Sequence, residues 1–348
     1  GPTLYKHGVT KKVTDVLEQA GCPYEVYTNI KENPTIENVQ DGVKAYKASG
    51  ADFIVALGGG SPMDTAKAIG IIINNPEFED VRSLEGVAPT KNPSVPIIAV
   101  PTTAGTASEI TINYVITDTE KRRKFVCVDT HDIPIVAVVD PDMMSSMPKG
   151  LTAATGMDAL THAVEAYLSR FYNTKQTRLL AENAVVAIFT HLERAYHDGA
   201  SLPDRAAMLQ ASFDAGAAFT RASVGNVHAI AHTLGGLYGV PHGLANAVLL
   251  PLVLEDYGKA AYPRLARLAA LVGLKGESEE SLAKAFIAEI RAMNTRMGIP
   301  DHFNCIRKED IPLMSKWAAQ EANPVYPVPV IYDEARFARV IERSHHSQ

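Results

Sequence analysis

The chain has 348 residues, of which 46% are hydrophobic and 21% are charged, with 33 basic against 39 acidic side chains and a formal net charge of −6. This composition predicts a globular protein of about two domains. Basic residues gather only in the short KRRK of 121–124, which argues against a nucleic-acid or anionic-membrane partner. Apolar runs such as 244–254 are shorter than the roughly 20 residues of a membrane span.

Two rhythms follow one another along the chain. Continuous apolar, β-branched runs alternate with helical patterns up to about residue 147, and they predict a parallel sheet covered on both faces. The predicted strands are 25–30, 52–58, 95–101, 113–117, 123–129 and 134–140. Beyond the SSMPKG segment, apolar spacings of three and four predict helices. The predicted helices are 151–170, 174–198, 203–221, 244–272, 278–297 and 308–321. We expect an α/β domain over 1–147 and an all-α domain over 148–348.

The stretch DFIVALGGGSPMDTAKAIGIII is an apolar strand, three glycines and a helix. We predict Ser61 as the N-cap, Pro62 as the first helical residue and Asp64 as the third. The glycines let a ligand approach the backbone, and a helix start with free N–H groups suits a pyrophosphate. A turn that needs glycine only for its geometry explains the loop equally well. A second loop, VPTTAGTASE at 100–109, offers threonine hydroxyls at a neighbouring strand end and favours the ligand site.

Histidines concentrate in VHAIAHTLGGLYGVPHG, at positions 228, 232 and 242. His228 and His232 are four residues apart, as are Asp158 and His162, so each pair shares one face of a helix. A glycine and a proline then end the helix and present His242 on a turn or at the next helix start. A single histidine is more often a core or cap residue. Four polar groups in apolar surroundings need partners, however, and an N3O set suits Fe, Zn, Mn or Co.

Four segments carry a resemblance to a known family: GGGSPMDTAK, PTTAGTASE, GMDALTHAVEAY and GNVHAIAHTLGGLYGVPHGLANAVLLP. They resemble the iron-containing (group III) alcohol dehydrogenases, over essentially the whole chain. The resemblance implies an N-terminal Rossmann-like NAD domain, an all-helical metal domain and a cleft between them, which is the dehydroquinate synthase-like architecture. It implies a metal-dependent, NAD(H)-linked dehydrogenase for a small primary alcohol or 1,2-diol and its aldehyde, of the lactaldehyde and 1,2-propanediol kind. The implied cofactors are Fe²⁺, with Zn²⁺ as an alternative, and NAD(H).

The family's functional residues map onto this sequence position by position. The resemblance implies metal ligands at Asp158, His162, His228 and His242. It places His232 beside the nicotinamide and the metal without making it a ligand, and we predict that this side chain relays a proton. The implied cofactor contacts are Asn33, Gly59, Gly60, Ser61, Asp64, Thr102, Thr103, Thr106, Val115 and Lys124.

One expected element has no counterpart in the sequence. The resemblance places the first Rossmann strand ahead of Gly1, and an Asp at its end binds the adenosine ribose and favours NAD over NADP. We expect that strand to be missing from 1–147, so the choice between NAD and NADP stays open here.

Three other functions remain open on the same residues. They are a glycerol-dehydrogenase-like zinc polyol dehydrogenase, a dehydroquinate-synthase-like lyase that uses NAD transiently, and a non-catalytic remnant. Steady NADH accumulation with a simple alcohol separates the dehydrogenases from the synthase. Few Lys or Arg residues lie near the histidines, which disfavours a sugar-phosphate substrate.

Cysteine usage and the chain start bear on the compartment. Cys22, Cys127 and Cys305 are far apart and form no CxxC pair, which is typical of a reducing environment. No signal peptide opens the sequence. We expect a cytoplasmic protein, and the resemblance implies a homodimer or a larger homo-oligomer.

Overall fold

The computed structural model describes residues 1–345 and divides them into two units. The first unit contains Gly1–Thr103 and Ala107–Met144. The second contains Ala104–Thr106 and the chain from Ser145 onward. The predicted helical domain also includes residues 346–348, which lie outside the described residues.

The first unit is built on a parallel sheet of three strands in the order β1-β2-β5. These strands are β1 (Ile54–Gly58), β2 (Ile97–Pro101) and β5 (Val136–Ala137), and Ile54 pairs with Ile97. A separate antiparallel pair consists of β3 (Asn113–Asp118) and β4 (Arg123–Val128). The helices are α1 (Pro2–Lys6), α2 (Val9–Gln19), α3 (Ile36–Ser49) and α4 (Gly60–Asn74). Apolar side chains of α3 and α4 pack with those of β3 and β4 into one buried core.

One predicted strand of this unit is absent, and two others run in a direction that was not predicted. Residues 25–30 have no regular structure, because their polar groups bond to α3: Tyr27 and Asn29 donate to Asp41, and Asn38 donates to the Asn29 carbonyl oxygen. The predicted strands 113–117 and 123–129 are present but antiparallel, outside the parallel sheet. Only residues 119–122 connect them, and a parallel pair needs a crossover of a dozen or more residues.

The second unit is helical, as predicted. Its helices are α5 (Lys149–Leu168), α6 (Lys175–His197), α7 (Leu202–Ala222), α8 (Asn226–Tyr238), α9 (His242–Tyr257), α10 (Tyr262–Leu271), α11 (Glu279–Arg296), α12 (Ile311–Ala322) and α13 (Glu334–Arg343). The single helix predicted over 244–272 is two, because Gly258 at φ 52° breaks it. Helices α5, α8 and α9 are buried on nearly all sides, so they form the centre of this unit.

No helix within residues 1–345 is both long and apolar enough to cross a membrane.

A buried lysine on α4 links this helix to the start of β3 and to Asp132. Lys67 Nζ lies 2.5 Å from the Thr111 carbonyl oxygen and 3.0 Å from that of Asn113, just before and within β3. Asp132 Oδ1 is 3.9 Å from the same Nζ. Neither Asp132 oxygen accepts a hydrogen bond from the described residues. Burial therefore raises the pKa of Asp132 to about 7 despite Lys67, and the nearby Asp129 and Asp64 carboxylates add to the rise.

We expect Asp132→Asn to stabilise the protein at pH 8 and to change little near pH 4. The folded state keeps a proton on Asp132 up to about pH 7, whereas the unfolded chain loses it near the ordinary value of about 3.9. The folded state thus binds more protons across this range, so its stability falls as the pH rises through it. At about 1.4 kcal/mol per pKa unit the effect has an upper limit of roughly 4 kcal/mol.

Urea denaturation of both proteins at pH 4, 6 and 8, with chelator present, measures the difference. A gap that does not change with pH would show that Lys67 fully compensates the Asp132 charge.

Candidate metal centre

Three central helices of the second unit bring one carboxylate and three imidazoles together. Asp158 and His162 come from α5, His228 from α8 and His242 from α9. Each offers one donor atom, and the four atoms lie within 4.8 Å of one another. Asp158 Oδ1 is 3.9 Å from His162 Nε2, 3.8 Å from His228 Nε2 and 3.5 Å from His242 Nε2. The four residues predicted as ligands therefore form a single cluster around Asp158.

Local sequence places each donor. The four-residue spacing on α5 puts Asp158 and His162 on one face, one turn apart. Helix α8 ends at Gly239, which adopts a left-handed conformation at φ 66°. Pro241 then precedes α9, so His242 is the first residue of that helix. We predicted that His242 lies on a turn or at a helix start, and it lies at a helix start.

Burial sets the electrostatics of the cluster. Asp158, His162 and His228 are almost completely buried. Burial raises the pKa of Asp158, and it lowers the pKa of His162 well below its usual range, with the His228 charge as the next cause. Burial, the largest single cause, opposes the charged form of His228, but the Glu165 hydrogen bond and the charges of Glu165, Asp158 and Glu321 together raise the pKa of His228. Asp158 thus lies in a shell of poorly hydrated nitrogen donors.

Asn246, one turn after His242 on α9, contacts three residues of the donor set. Its Nδ2 donates to Asp158 Oδ1 at 2.7 Å and lies 3.1 Å from His228 Nε2 and 3.2 Å from His242 Nε2. One amide nitrogen therefore lies close to three of the four predicted ligand atoms. Its own Oδ1 is buried and has no hydrogen-bond partner in the part of the chain that is described. Sequence reasoning missed Asn246, although its four-residue spacing from His242 was a usable signal.

Two glutamates behind the histidines were also missed. Glu165 Oε2 lies 2.6 Å from His228 Nδ1, and Glu321 Oε1 lies 2.7 Å from His232 Nδ1. The His232 ring stacks on the His242 ring with centroids 5.2 Å apart, so His232 lies beside the cluster and outside the donor set. Spacing on α5 could have suggested Glu165, which follows His162 by three residues. Glu321 is 89 residues from His232, and no local signal joins them.

The glycine loop of the first unit differs from its prediction. Helix α4 begins at Gly60 with Gly59 as its N-cap, so Ser61 and Pro62 lie inside the first turn and Asp64 beyond it. Extended backbone at Gly59 lets the helix start two residues early. Its N-cap is a glycine, which has no side chain to cap the helix. The first N–H groups of α4 are therefore left for an external acceptor.

Five of the ten residues predicted to contact the cofactor belong to two hydrogen-bonded groups around this helix start. The Asn33 backbone N–H donates to Ser61 Oγ at 3.3 Å, and Lys124 Nζ donates to Asn33 Oδ1 at 2.7 Å. Asp64 accepts from Ser108 Oγ at 2.7 Å and from the Val115 backbone N–H at 3.1 Å.

The two threonines after β2 reach the same turn. The Thr102 N–H donates to the Gly58 carbonyl oxygen at 2.9 Å, and a Cβ on Gly59 would lie 3.1 Å from the Thr103 side chain. Thr106 belongs to the second unit. The glycines thus allow a close approach of backbone and threonine.

A glycine-rich turn after a parallel strand and an Asp–His₃ donor cluster on one chain are typical of a metal- and nucleotide-dependent enzyme. Residues 1–141 match the family model of the iron-containing alcohol dehydrogenases, and residues 152–336 match the C-terminal model of the same family. The chain belongs to the iron-containing alcohol dehydrogenase family, and it is an NAD-dependent alcohol dehydrogenase.

Its relatives include enzymes of small alcohols and diols. It is 48% identical to lactaldehyde reductase of Escherichia coli K12 over 324 residues, which cover 92% of this chain and 84% of the relative. It is 42% identical to 1,3-propanediol dehydrogenase of Klebsiella pneumoniae over 328 residues, covering 93% and 84%. A crystal structure of 1,3-propanediol oxidoreductase matches with a TM-score of 0.93 at 40% identity, covering 98% of this chain and 90% of that one. The resemblance read from the sequence is confirmed.

We expect Gly243→Ala to damage the cluster through packing. Gly243 follows His242 on α9, and a Cβ there would lie 2.3 Å from the carbonyl oxygen of Ala154 on α5. The α5 main chain cannot shift without breaking helix hydrogen bonds, so the first turn of α9 must move away from α5. We expect a loss of roughly 1–3 kcal/mol of stability and weaker Zn²⁺ binding.

Gly150→Ala on α5 is the matched control, because a Cβ there meets no heavy atom of the described chain within 4 Å. Denaturation midpoints and Zn²⁺ competition titrations compare the two variants. Equal behaviour would contradict the packing argument.

Proposed function

We propose that the chain interconverts a small primary alcohol or 1,2-diol and its aldehyde with NAD(H), using a divalent metal held by Asp158, His162, His228 and His242. The observation that carries this proposal is the convergence of the four donor atoms within 4.8 Å. The names of the relatives, lactaldehyde reductase and 1,3-propanediol dehydrogenase, support the substrate class.

The donor set fits a first-row metal. Three imidazoles and one carboxylate suit Fe²⁺ or Zn²⁺ better than Mg²⁺ or Ca²⁺, which prefer oxygen ligands. The Asn246 amide donates to Asp158 and lies within 3.2 Å of two imidazole nitrogens, and this approach of three predicted ligands to one point supports a cation site. We propose Fe²⁺ as the resident ion, with Zn²⁺ as the alternative.

The cofactor site is proposed at the uncapped start of α4. Its exposed N–H groups and positive dipole end suit a pyrophosphate. The network of Asn33, Ser61 and Lys124 beside it supplies further polar groups. We propose that the following residues contact NAD(H): Asn33, Gly59, Gly60, Ser61, Asp64, Thr102, Thr103, Thr106, Val115 and Lys124.

The chain's own residues bind, orient and move a proton. A divalent cation supplies Lewis-acid polarisation of the substrate oxygen, and the nicotinamide supplies hydride transfer. His232 is the proposed proton carrier. Its Nδ1 donates to Glu321, which leaves Nε2 to accept a proton. Tyr326 Oη also donates to Glu321 at 2.7 Å and holds that carboxylate in place.

Three further features belong to the proposal. We place the nucleotide-binding domain at 1–147 and the metal-binding domain at 148–348, which the matched ranges 1–141 and 152–336 support. We propose a cytoplasmic location, which the three free cysteines support. We propose a homodimer or a larger homo-oligomer, because most soluble oligomers consist of identical subunits.

We expect Asp158→Ala and His228→Ala to lose metal and turnover together. Each removes a donor from the cluster, so we expect metal affinity to fall by more than the 10- to 100-fold typical of an outer partner. Metal analysis after dialysis, and NAD⁺ reduction with the Fe²⁺- or Zn²⁺-loaded protein, measure the two effects. His191→Ala is the control, because His191 on α6 bonds Asp204 and is not one of the four donors. Full metal occupancy in both variants would reject the ligand assignment.

The substrate class is tested with 1,2-propanediol, 1,3-propanediol, glycerol and ethanol. NADH that accumulates steadily supports the dehydrogenase, and preference for glycerol with Zn²⁺ would favour the polyol dehydrogenase instead.

A further inference from the structure

One carboxylate ties two helices of the cluster together. Glu165 lies on α5, seven residues after Asp158, and its side chain is almost completely buried. Its Oε2 accepts from the Gly225 N–H at 2.8 Å, and its Oε1 accepts from the Val227 N–H at 2.8 Å. These are the N-cap and the second residue of α8. The carboxylate therefore caps α8 from a different helix.

The same carboxylate also fixes the chemistry of His228. An ionised carboxylate only accepts hydrogen bonds, so the proton of His228 must sit on Nδ1, 2.6 Å from Glu165 Oε2. The lone pair then lies on Nε2, which faces Asp158 Oδ1 at 3.8 Å. Only this tautomer lets the neutral ring donate electrons toward the cluster.

Close packing and ring stacking surround this contact. A Cβ on Gly225 would lie 2.8 Å from Glu165 Oε1, so glycine is what lets the backbone reach the carboxylate. Phe219 stacks on His162, and His162 stacks on His228 with centroids 4.6 Å apart. The His228 ring is thus held by stacking on one face and by Glu165 at its edge.

We propose that Glu165 is a positioning residue that sets the tautomer and orientation of His228 and registers α8 on α5, so that donors from separate helices converge. This inference rests on the proposed metal site. Glu165 does not touch the ion; it acts through His228.

Glu165→Gln tests the proposal with almost no change in shape. The amide keeps one oxygen acceptor but turns the other position into a donor. That NH₂ group must face either a backbone N–H of α8 or His228 Nδ1. In the second case the His228 proton moves to Nε2 and blocks coordination. We expect the Kd for Zn²⁺ to rise about 10- to 100-fold.

Glu321→Gln is the matched control. Glu321 makes the same contact to His232 Nδ1, at 2.7 Å, but His232 lies outside the donor set. Metal-depleted wild type and both variants are titrated with Zn²⁺ against a chromophoric chelator. The Co²⁺ absorption spectrum of each is recorded as a readout of ligand geometry. We expect the Glu321→Gln titration and spectrum to match those of the wild type.

Coupling distinguishes positioning from a purely structural cap. In a His228→Ala background, Glu165→Gln should cause little further loss of Zn²⁺ affinity. An equal loss with and without His228 would overturn the proposal, as would wild-type affinity in Glu165→Gln. If circular dichroism shows that this variant does not fold without metal, Glu165→Asp replaces it, since it keeps the charge and shortens the reach. Wild-type affinity and spectrum in Glu165→Asp would equally overturn it.

Failure of the proposed function gives a different result, because the wild type itself would then bind neither Zn²⁺ nor Co²⁺.

Discussion

The helical unit depends on a carboxylate surrounded by three imidazoles in its interior. Taking Asp158 out of water is costly unless neighbours compensate for lost hydration. Its Oδ1 accepts a hydrogen bond from Asn246 Nδ2 at 2.7 Å, and three imidazole nitrogens lie within 4 Å of the same oxygen. Helix α5 must carry this group through the core, which explains why it is buried on nearly every side and shows little amphipathic pattern. The central helices are arranged around the donor set, and the outer helices cover them.

Each buried histidine of the cluster has its second nitrogen bound elsewhere. His162 Nδ1 lies 3.2 Å from the Gly105 carbonyl oxygen, and His228 Nδ1 bonds Glu165. Both acceptors leave Nε2 to face Asp158. The orientation of the donors is therefore built from groups that never enter the cluster: a backbone carbonyl from the short Ala104–Thr106 segment and a carboxylate from α5. This is the outer support that holds ligand geometry in metal sites.

Sequence patterns captured what depends on local spacing. The pairs Asp158–His162 and His228–His232 lie on helices because apolar periodicity and four-residue spacing are local properties. Tertiary partners were not accessible in this way, since the Glu165–His228 contact spans 63 residues and requires the packing of α5 on α8. The direction of β3 and β4 was mispredicted because continuous apolar strands look alike in parallel and buried antiparallel sheets. The strand predicted over residues 25–30 is absent because side-chain hydrogen bonds to Asp41 on α3 take the place of pairing with a neighbouring strand.

Helix starts reveal how both units use the backbone dipole. The positive end of α8 is satisfied internally by the Glu165 carboxylate. Helix α4 has a glycine as its N-cap and so no cap from that side chain, although Ser61 and Asp64 resemble a capping box in the sequence. The capping-box pattern is therefore not realised at the start of α4, which lies beside glycines, a lysine and threonines. A helix start of this kind suits a bound anion. At α9 the first residue is His242, so the sequence places a predicted metal ligand at the start of a helix.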